Sequence, residues 1–493
     1  MTMRRRPFIP VYILLLAAAL YMGALTSYDR FHPDEAFFMT FARNAAVQGD
    51  GWLRGSLDKP PLTLYLQAAS LTLFALTSDA NGVLQLDVYR GEFAARMTGV
   101  WMTLLWVAAL MRMAWALYRD QHVARFMGLV AAGSPLVIAF APTAFMDTPM
   151  LLFATLALWA AIEGRPGWSG TAFILAFASK PQAVYLAPLI VVMLVMQTGR
   201  IASLPLMFGR WLMPVVLGAA LLGAWDVGRG ETSVFVLGAA NNLPEGAFWV
   251  ERALWQDRFW AWVTLSQYLV GDASFVMLGV ISFFLIMSLA GQAPESRWKR
   301  WDVLMLLWLV TYSAFHIITR QNVYDRYMLF LVIPLGLVGA RSLSYLRRWN
   351  SEGRLLPVFG AVALLVALSA YQAATGAVPI GGDRGAYSDI DTLANYLNEW
   401  PVATVIYDRW LGWELGYYLG PWSNKRRVYY PTPAALAEGA ARLPECGSRL
   451  LVAPLDQDVM PWLDALRERH FQVALTRQIS RFRVYEVVPA CAR

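Results

Sequence analysis

Apolar runs separated by short polar stretches recur from residue 8 to residue 373. They lie at 8–27, 93–117, 126–142, 148–162, 170–184, 185–198, 211–227, 273–290, 303–319, 327–341 and 355–373. A helix needs roughly 20 predominantly apolar residues to cross the hydrocarbon core of a bilayer. The pattern therefore predicts a polytopic α-helical membrane protein with about 11 transmembrane helices. One further apolar stretch, LTLYLQAASLTLFALTS at 62–77, has polar flanks and fits a helix that lies along the interface or re-enters. From Gly376 the long runs stop and short patterned units replace them. IDTLANYLNEW, LGWELGYYLG, AALAEGAARL and WLDALRERH read as helices, and TVIYD, RRVYY, RLLVAPL and RFRVYEVV as strands. This alternation predicts a small α/β domain. The chain thus divides into a membrane module at 1–376 and a C-terminal domain at 377–493, with GAVPIGGDRGAYS (376–388) as linker.

Composition agrees with the pattern. Of the 493 residues, 58% are hydrophobic and only 15% charged, against about 25% charged in an average soluble chain. Arg4, Arg5 and Arg6 precede the first run as they would in a signal peptide. No small-residue cleavage site follows and more apolar runs do, so the first run reads as a retained helix. The net charge of +7 does not imply nucleic acid. Its distribution reports topology, because basic loops stay cytoplasmic. With the N-terminus inside, RDQHVAR (119–125), Arg165, Arg200 to Arg210, ESRWKR (295–300) and RSLSYLRRWNSEGR (341–354) all fall inside. A crossing at 62–77 would invert every later loop. The reading that results is a multi-pass plasma (inner) membrane protein whose C-terminal domain is extracytoplasmic. Both cysteines, Cys446 and Cys491, lie in that domain. They are either a disulfide, which an extracytoplasmic compartment permits, or two unrelated thiols.

The same topology gathers scattered acids on the outer face. Asp34 and Glu35 in HPDEAFF follow the first run, Asp58 and Lys59 in SLDKPPLTLY share that loop, and Asp147 in AFMDTPM follows the third run. Lys180, Arg320 and Arg326 end near that face as well. Ionisable groups at span ends that converge in this way point to a site. Cations of this kind hold a lipid-linked phosphate and stabilise charge as it leaves, while a carboxylate takes the proton of an incoming hydroxyl. The chemistry would be direct displacement at an anomeric carbon, with inversion. Each residue also has a purely structural reading. Asp34 suits the N-cap of a helix through EAFFMTFARNAAV, and Asp58–Lys59 suits a surface ion pair. Asp147 before Thr148-Pro149 suits a helix start, and Lys180 in ASKPQ suits a snorkelling lysine.

HPDE and DKPPL in the first outer loop, MDTP at the third run and DRYML before a late run form an ordered set. The set resembles the GT-C membrane glycosyltransferases that use polyprenyl-phosphate sugars. Within them it is similar to the bacterial relatives of protein O-mannosyltransferases and lipid A aminoarabinose transferases. The resemblance covers roughly residues 8 to 373. It implies Asp34 as catalytic base with Glu35 in support, and Asp147 as a further acidic contact of the active site. It implies Lys59, Arg326 and Tyr327 beside the donor phosphate, and Asp58 as the residue that binds a divalent metal in some members. The histidine that would partner such a metal is missing, since residues 228–272 contain none and His32 and His316 lie elsewhere. ARMTG at 95–99 resembles the family's Arg-Leu-Pro-Ser helix start with Met-Thr in place of Leu-Pro, which marks Arg96 as a structural contact.

The implied partners are a polyprenyl-phosphate sugar donor, membrane lipid, and an acceptor that is a glycolipid, a polysaccharide, a protein or a small alcohol. The outer loop NNLPEGAFWVERALWQDRFWAW (241–262) is rich in tryptophan. Trp249, Trp255 and Trp260 either anchor at the interface or stack on sugar or prenyl chain as part of a lid. A transporter or flippase of lipid-linked sugars is the alternative from another class, but no repeat relates the two halves and the acids sit at span ends. A scaffold whose outer domain binds a partner is a third. GWELG does not follow a strand with dinucleotide-binding spacing.

Overall fold

The computed structural model describes residues 8–25, 30–198, 201–242, 248–289, 296–349, 353–382, 385, 387–420, 424–443, 447 and 449–489. Cys446 and Cys491 lie outside the described residues. Among the described residues, eight helical stretches are long and apolar enough to cross a membrane. They are Phe8–Leu25, Val88–Tyr118, Pro181–Thr198, Ile201–Gly228, Gly271–Leu289, Arg300–Ile318, Asp325–Arg348 and Leu356–Ala374. The chain is an integral membrane protein, with fewer full-length spans than eleven apolar runs predict.

The difference comes from breaks inside the runs. Run 126–142 is cut at Ser134 into helices Gln121–Gly133 and Pro135–Phe140. Ser134 Oγ accepts the Val137 N–H and Pro135 opens the second helix, where its missing donor does no harm. Run 148–162 becomes the 16-residue helix Asp147–Ile162. Run 170–184 stops at Ser179; Lys180 is extended, and a 3-10 turn over Pro181–Leu186 leads into the next helix. The stretch at 62–77 forms a helix of 13 residues, Leu62–Phe74. At 1.5 Å per residue that is about 20 Å, short of the roughly 30 Å of hydrocarbon. An antiparallel hairpin of β1 (Leu76–Ser78) and β2 (Leu84–Leu86) follows it.

The chain folds into two compact units, and neither is continuous in sequence. The first comprises Met1–Ser27, Gly51–Gln67 and Ala95–Gly381. Its helices meet through small residues, as apolar helices in lipid generally do. Gly170 in the helix Pro166–Ser179 faces the Trp211 carbonyl of the helix Leu204–Gly228, and a Cβ there would collide with it.

The second unit comprises Tyr28–Asp50, Ala68–Ala94 and Gly382–Arg493. Its C-terminal part is the predicted α/β domain. Strands β3 (Val405–Asp408), β4 (Arg426–Val428), β5 (Arg449–Pro454), β6 (Gln472–Ile479) and β7 (Phe482–Val488) form one sheet in the order β4-β3-β5-β7-β6. β3 runs parallel to β4 and β5, whereas β7 is antiparallel to β5 and β6. Val405, Tyr407, Leu451, Leu463, Leu466 and Val487 build its core. Four helices alternate with the strands at Ile390–Glu399, Gly412–Leu419, Pro433–Arg442 and Met460–Glu468. β6 is absent from the sequence reading; it is an edge strand with most of its side chains exposed.

The segment around the acidic pair belongs to this second unit. Helix Pro33–Gln48 starts with a reciprocal cap, in which His32 Nδ1 accepts the Asp34 N–H and Glu35 accepts the His32 N–H. Asp34 is therefore not the N-cap; His32 takes that place. The helix packs on Gly412–Leu419, with Phe37 edge-on to Trp413 at 4.4 Å and Phe31 edge-on to Tyr417 at 4.8 Å. Arg30 pairs with Glu92 at 3.1 Å and lies 3.8 Å from Asp391. The Tyr418 hydroxyl accepts the Phe31 N–H at 2.9 Å and donates to Glu92. Burial and the Glu92 carboxylate push the Tyr418 phenol well above its ordinary pKa, so it remains a donor. Tyr418→Phe is expected to destabilise this unit by about 1–3 kcal/mol, the cost of stripping buried polar groups of a partner. Thermal unfolding of the purified protein in detergent measures it. An unchanged midpoint would show that these bonds hold nothing.

Candidate active site

In the first unit a loop, two helix ends and a 3-10 turn bring together charged residues that are far apart in sequence. The loop carrying SLDKPPL is clamped from the end of helix Leu204–Gly228. Arg229, buried, donates to the carbonyls of Leu53 at 3.0 Å and Gly55 at 2.6 Å. It also lies 3.6 Å from Asp226, which accepts the Val234 N–H. Gly238 in the helix Val234–Asn242 lets that helix approach the loop, because a Cβ there would stand 2.8 Å from the Asp58 carbonyl. Asn241 then donates to Asp58 Oδ2 at 3.2 Å. Lys59 Nζ bonds the same oxygen at 2.6 Å, and both side chains are buried. This is no surface pair.

Asp147 is the first residue of its helix, after the N-cap Met146. Lys180, at the break after Ser179, reaches it, with Nζ 2.6 Å from Asp147 Oδ1. The two are 1% and 4% exposed, so Lys180 does not snorkel to solvent. Its ammonium also lies 5.5 Å from the centre of the Tyr327 ring and feels the positive charges of Arg326 and Lys59. Arg326 and Tyr327 sit on the 3-10 turn Asp325–Leu331. Asp325 orients that turn by accepting the N–H groups of Arg326 at 2.8 Å and Gly381 at 3.0 Å. The Arg326 guanidinium lies over the rings of Phe145 and Tyr324.

Lys59, Asp58, Asp147, Lys180 and Tyr327, all buried, thus form one electrostatic neighbourhood with the half-buried Arg326. Asp34 and Glu35 belong to the other unit. Arg96 stands inside the helix Val88–Tyr118, which begins eight residues before it, so ARMTG is not a helix start. Arg320 uses its backbone N–H on the Phe248 carbonyl. That bond is one of several that stitch the tryptophan-rich loop to the end of helix Ser296–Ile318. Trp249 pairs with Thr319, and the Arg258 guanidinium holds the carbonyls of His316, Ile317 and Gln321. Trp249 and Trp260 are exposed, while Trp262 is buried and stacks on His316 at 4.9 Å. His316 and Tyr312 continue this aromatic wall to Tyr327. Nothing in the sequence marked that wall, whose members read as ordinary core residues. Lys180 carried a signal, an ionisable residue within an apolar run.

The surroundings of Asp58 do not fit a metal. Its Oδ2 receives an ammonium and a carboxamide N–H, and both oppose a cation. No group of three His, Cys, Asp or Glu side chains is placed to hold one among the described residues.

No protein-family model matches the chain, and no curated protein matches it either. Solved structures do. ArnT from Cupriavidus metallidurans, bound to undecaprenyl phosphate, superposes with a TM-score of 0.64 over 97% of each chain at 15% identity. The oligosaccharyltransferase of Archaeoglobus fulgidus, in complex with zinc and sulfate, matches 96% of this chain and 72% of its own, with a TM-score of 0.55 at 11% identity. The fold is that of the GT-C glycosyltransferases. The likeness to ArnT runs through both the membrane helices and the C-terminal domain, since it spans nearly all of either chain.

Proposed function

We propose that this GT-C chain transfers a sugar from a polyprenyl-phosphate donor to an acceptor hydroxyl at the outer face of the plasma membrane. The observation that carries the proposal is the gathering of Lys59 and Lys180, both buried, with the half-buried Arg326 in one neighbourhood. Lys59 and Lys180 each bond one carboxylate, Asp58 and Asp147; cations gathered and shielded from water in this way stabilise a further anion, and a lipid-linked phosphate is such an anion. The likeness to a structure bound to undecaprenyl phosphate supports the same donor class.

In the proposed reaction the acceptor oxygen attacks the anomeric carbon while the bond from that carbon to the phosphate oxygen breaks. The electron pair leaves with the phosphate, and configuration inverts. Lys59, Arg326 and the Tyr327 hydroxyl meet the charge that develops on the leaving group, and a preorganised donor in a dry site is worth more there than in water. Asp34 takes the acceptor proton; the HPDE motif carries that assignment. Asp147 keeps the Lys180 ammonium in place.

The test is sugar transfer by purified protein over a panel of polyprenyl-phosphate sugars, reading release of the polyprenyl phosphate. Wild type should turn over at least one donor. Lys59→Ala should fall by about 10²–10³-fold, as does loss of one preorganised donor in other enzymes. Turnover of no donor by a folded wild type would defeat the proposal, and full activity in Lys59→Ala would remove that lysine from it.

A further inference from the structure

Helix Asp147–Ile162 carries Asp147 at one end; its other end opens into a groove of about 320 Å³ shared with helix Pro166–Ser179. Leu156, Trp159, Ala160, Ala172 and Leu175 line it, and Trp168, 70% exposed, stands at its rim. The mouth is charged. Glu163 accepts from Arg112 at 3.2 Å and lies 3.8 Å from Arg165, so one carboxylate serves two guanidiniums. Arg112 lies over the rings of Trp115 and Trp159, and Arg119 stacks on the same Trp115 at 4.5 Å. Two guanidiniums therefore share a single acid, and a third, that of Arg119, stands on the far ring of the same aromatic stack. Two donors at this spot, Arg112 Nη1 and Trp159 Nε1, are buried and make no hydrogen bond to any described residue. Buried donors without an acceptor are costly, and a guanidinium takes the oxygens of a phosphate best.

We propose that this groove binds one anionic glycerophospholipid, with an acyl chain along Leu156, Ala172 and Leu175 and the phosphodiester on Arg112, Arg165 and Trp159. The complementarity is specific to such a molecule, because the lining is apolar and open to the bilayer while the mouth holds excess positive charge. The basic end of the helix places the headgroup in the cytoplasmic leaflet. The site is thus one helix length from the Asp147 cluster. It does not depend on the proposed transfer reaction.

The experiment is native mass spectrometry of the full chain in detergent, titrated with dioleoylphosphatidylglycerol and with dioleoylphosphatidylcholine. Wild type should retain the anionic lipid at a concentration lower by about fivefold or more, the scale of one arginine acting on an anionic headgroup. Arg112→Gln and Arg165→Gln should each reduce that preference. Ala172→Trp, which fills the groove and leaves every arginine in place, should abolish the tightest adduct. Unfolding curves confirm that each variant is folded, and Arg165→Gln, at an exposed side chain, keeps the test available if Arg112→Gln does not fold. Equal retention of the two lipids by wild type overturns the proposal, and so does a preference that survives Ala172→Trp. Displacement of the phospholipid by undecaprenyl phosphate at lower concentration would assign the groove to an isoprenoid and overturn it too.

Discussion

Asp34→Asn is expected to lower sugar transfer by about 10²–10⁴-fold, the usual contribution of a general base, with the helix cap kept. The helix cap is made by His32 Nδ1 and the Glu35 carboxylate, and Asp34 contributes its backbone N–H, which asparagine keeps. The adjacent acid has the opposite expectation. Glu35→Gln retains an acceptor for the His32 N–H, and glutamine serves in such a cap as well as glutamate, so transfer should persist. Single-turnover release of polyprenyl phosphate at saturating acceptor separates the two. A loss below about tenfold in Asp34→Asn, well under that range, would take the base role away from it. A collapse in Glu35→Gln alone would move the role one residue along.

Asp147→Ala is expected to destabilise the protein by about 3–5 kcal/mol, the cost of leaving half of a buried ion pair alone. Its surroundings sharpen the expectation. Lys180 is repelled by Arg326 and Lys59, and Asp147 is what offsets them. Removing the acid leaves the Lys180 ammonium facing Arg326 and Lys59 without its counter-charge, whereas Lys180→Ala also removes the charge that those two repel. The acid variant should therefore be the less stable of the two. Asp147→Leu combined with Lys180→Met should recover most of the loss, since an apolar pair of similar volume often replaces a buried ion pair without penalty. Denaturant unfolding in detergent, analysed as a double-mutant cycle, gives the coupling. Equal and additive losses would mean that the 2.6 Å contact contributes nothing of its own.

Most of the apolar helices were legible because apolar length is a property of short windows. The break at Ser134-Pro135 was not read, because an unbroken apolar run hides a serine and proline that open a helix. The C-terminal alternation read correctly except for β6, whose exposed face lacks the apolar pattern of a core strand. Pairings across long stretches of chain were not readable. Nothing in DKPPL announces that Arg229 and Asn241 hold it, because an arginine that binds carbonyls needs no motif. The Asp147–Lys180 contact joins two residues whose own neighbourhoods suit a helix start and a snorkelling side chain. The sequence offers HPDE as a capped helix start, and only the fold shows that His32 and Glu35 make the cap.

The discontinuous second unit bears on how such chains can be recombined. A graft that exchanged only the residues after Gly381 would strip Phe37 of Trp413, Phe31 of Tyr418, and Arg30 of Asp391. A working chimera would have to carry 28–50 and 68–94 from the same parent as its tail. The tail and the acidic segment thus make a single exchangeable piece, although hundreds of residues separate them along the chain.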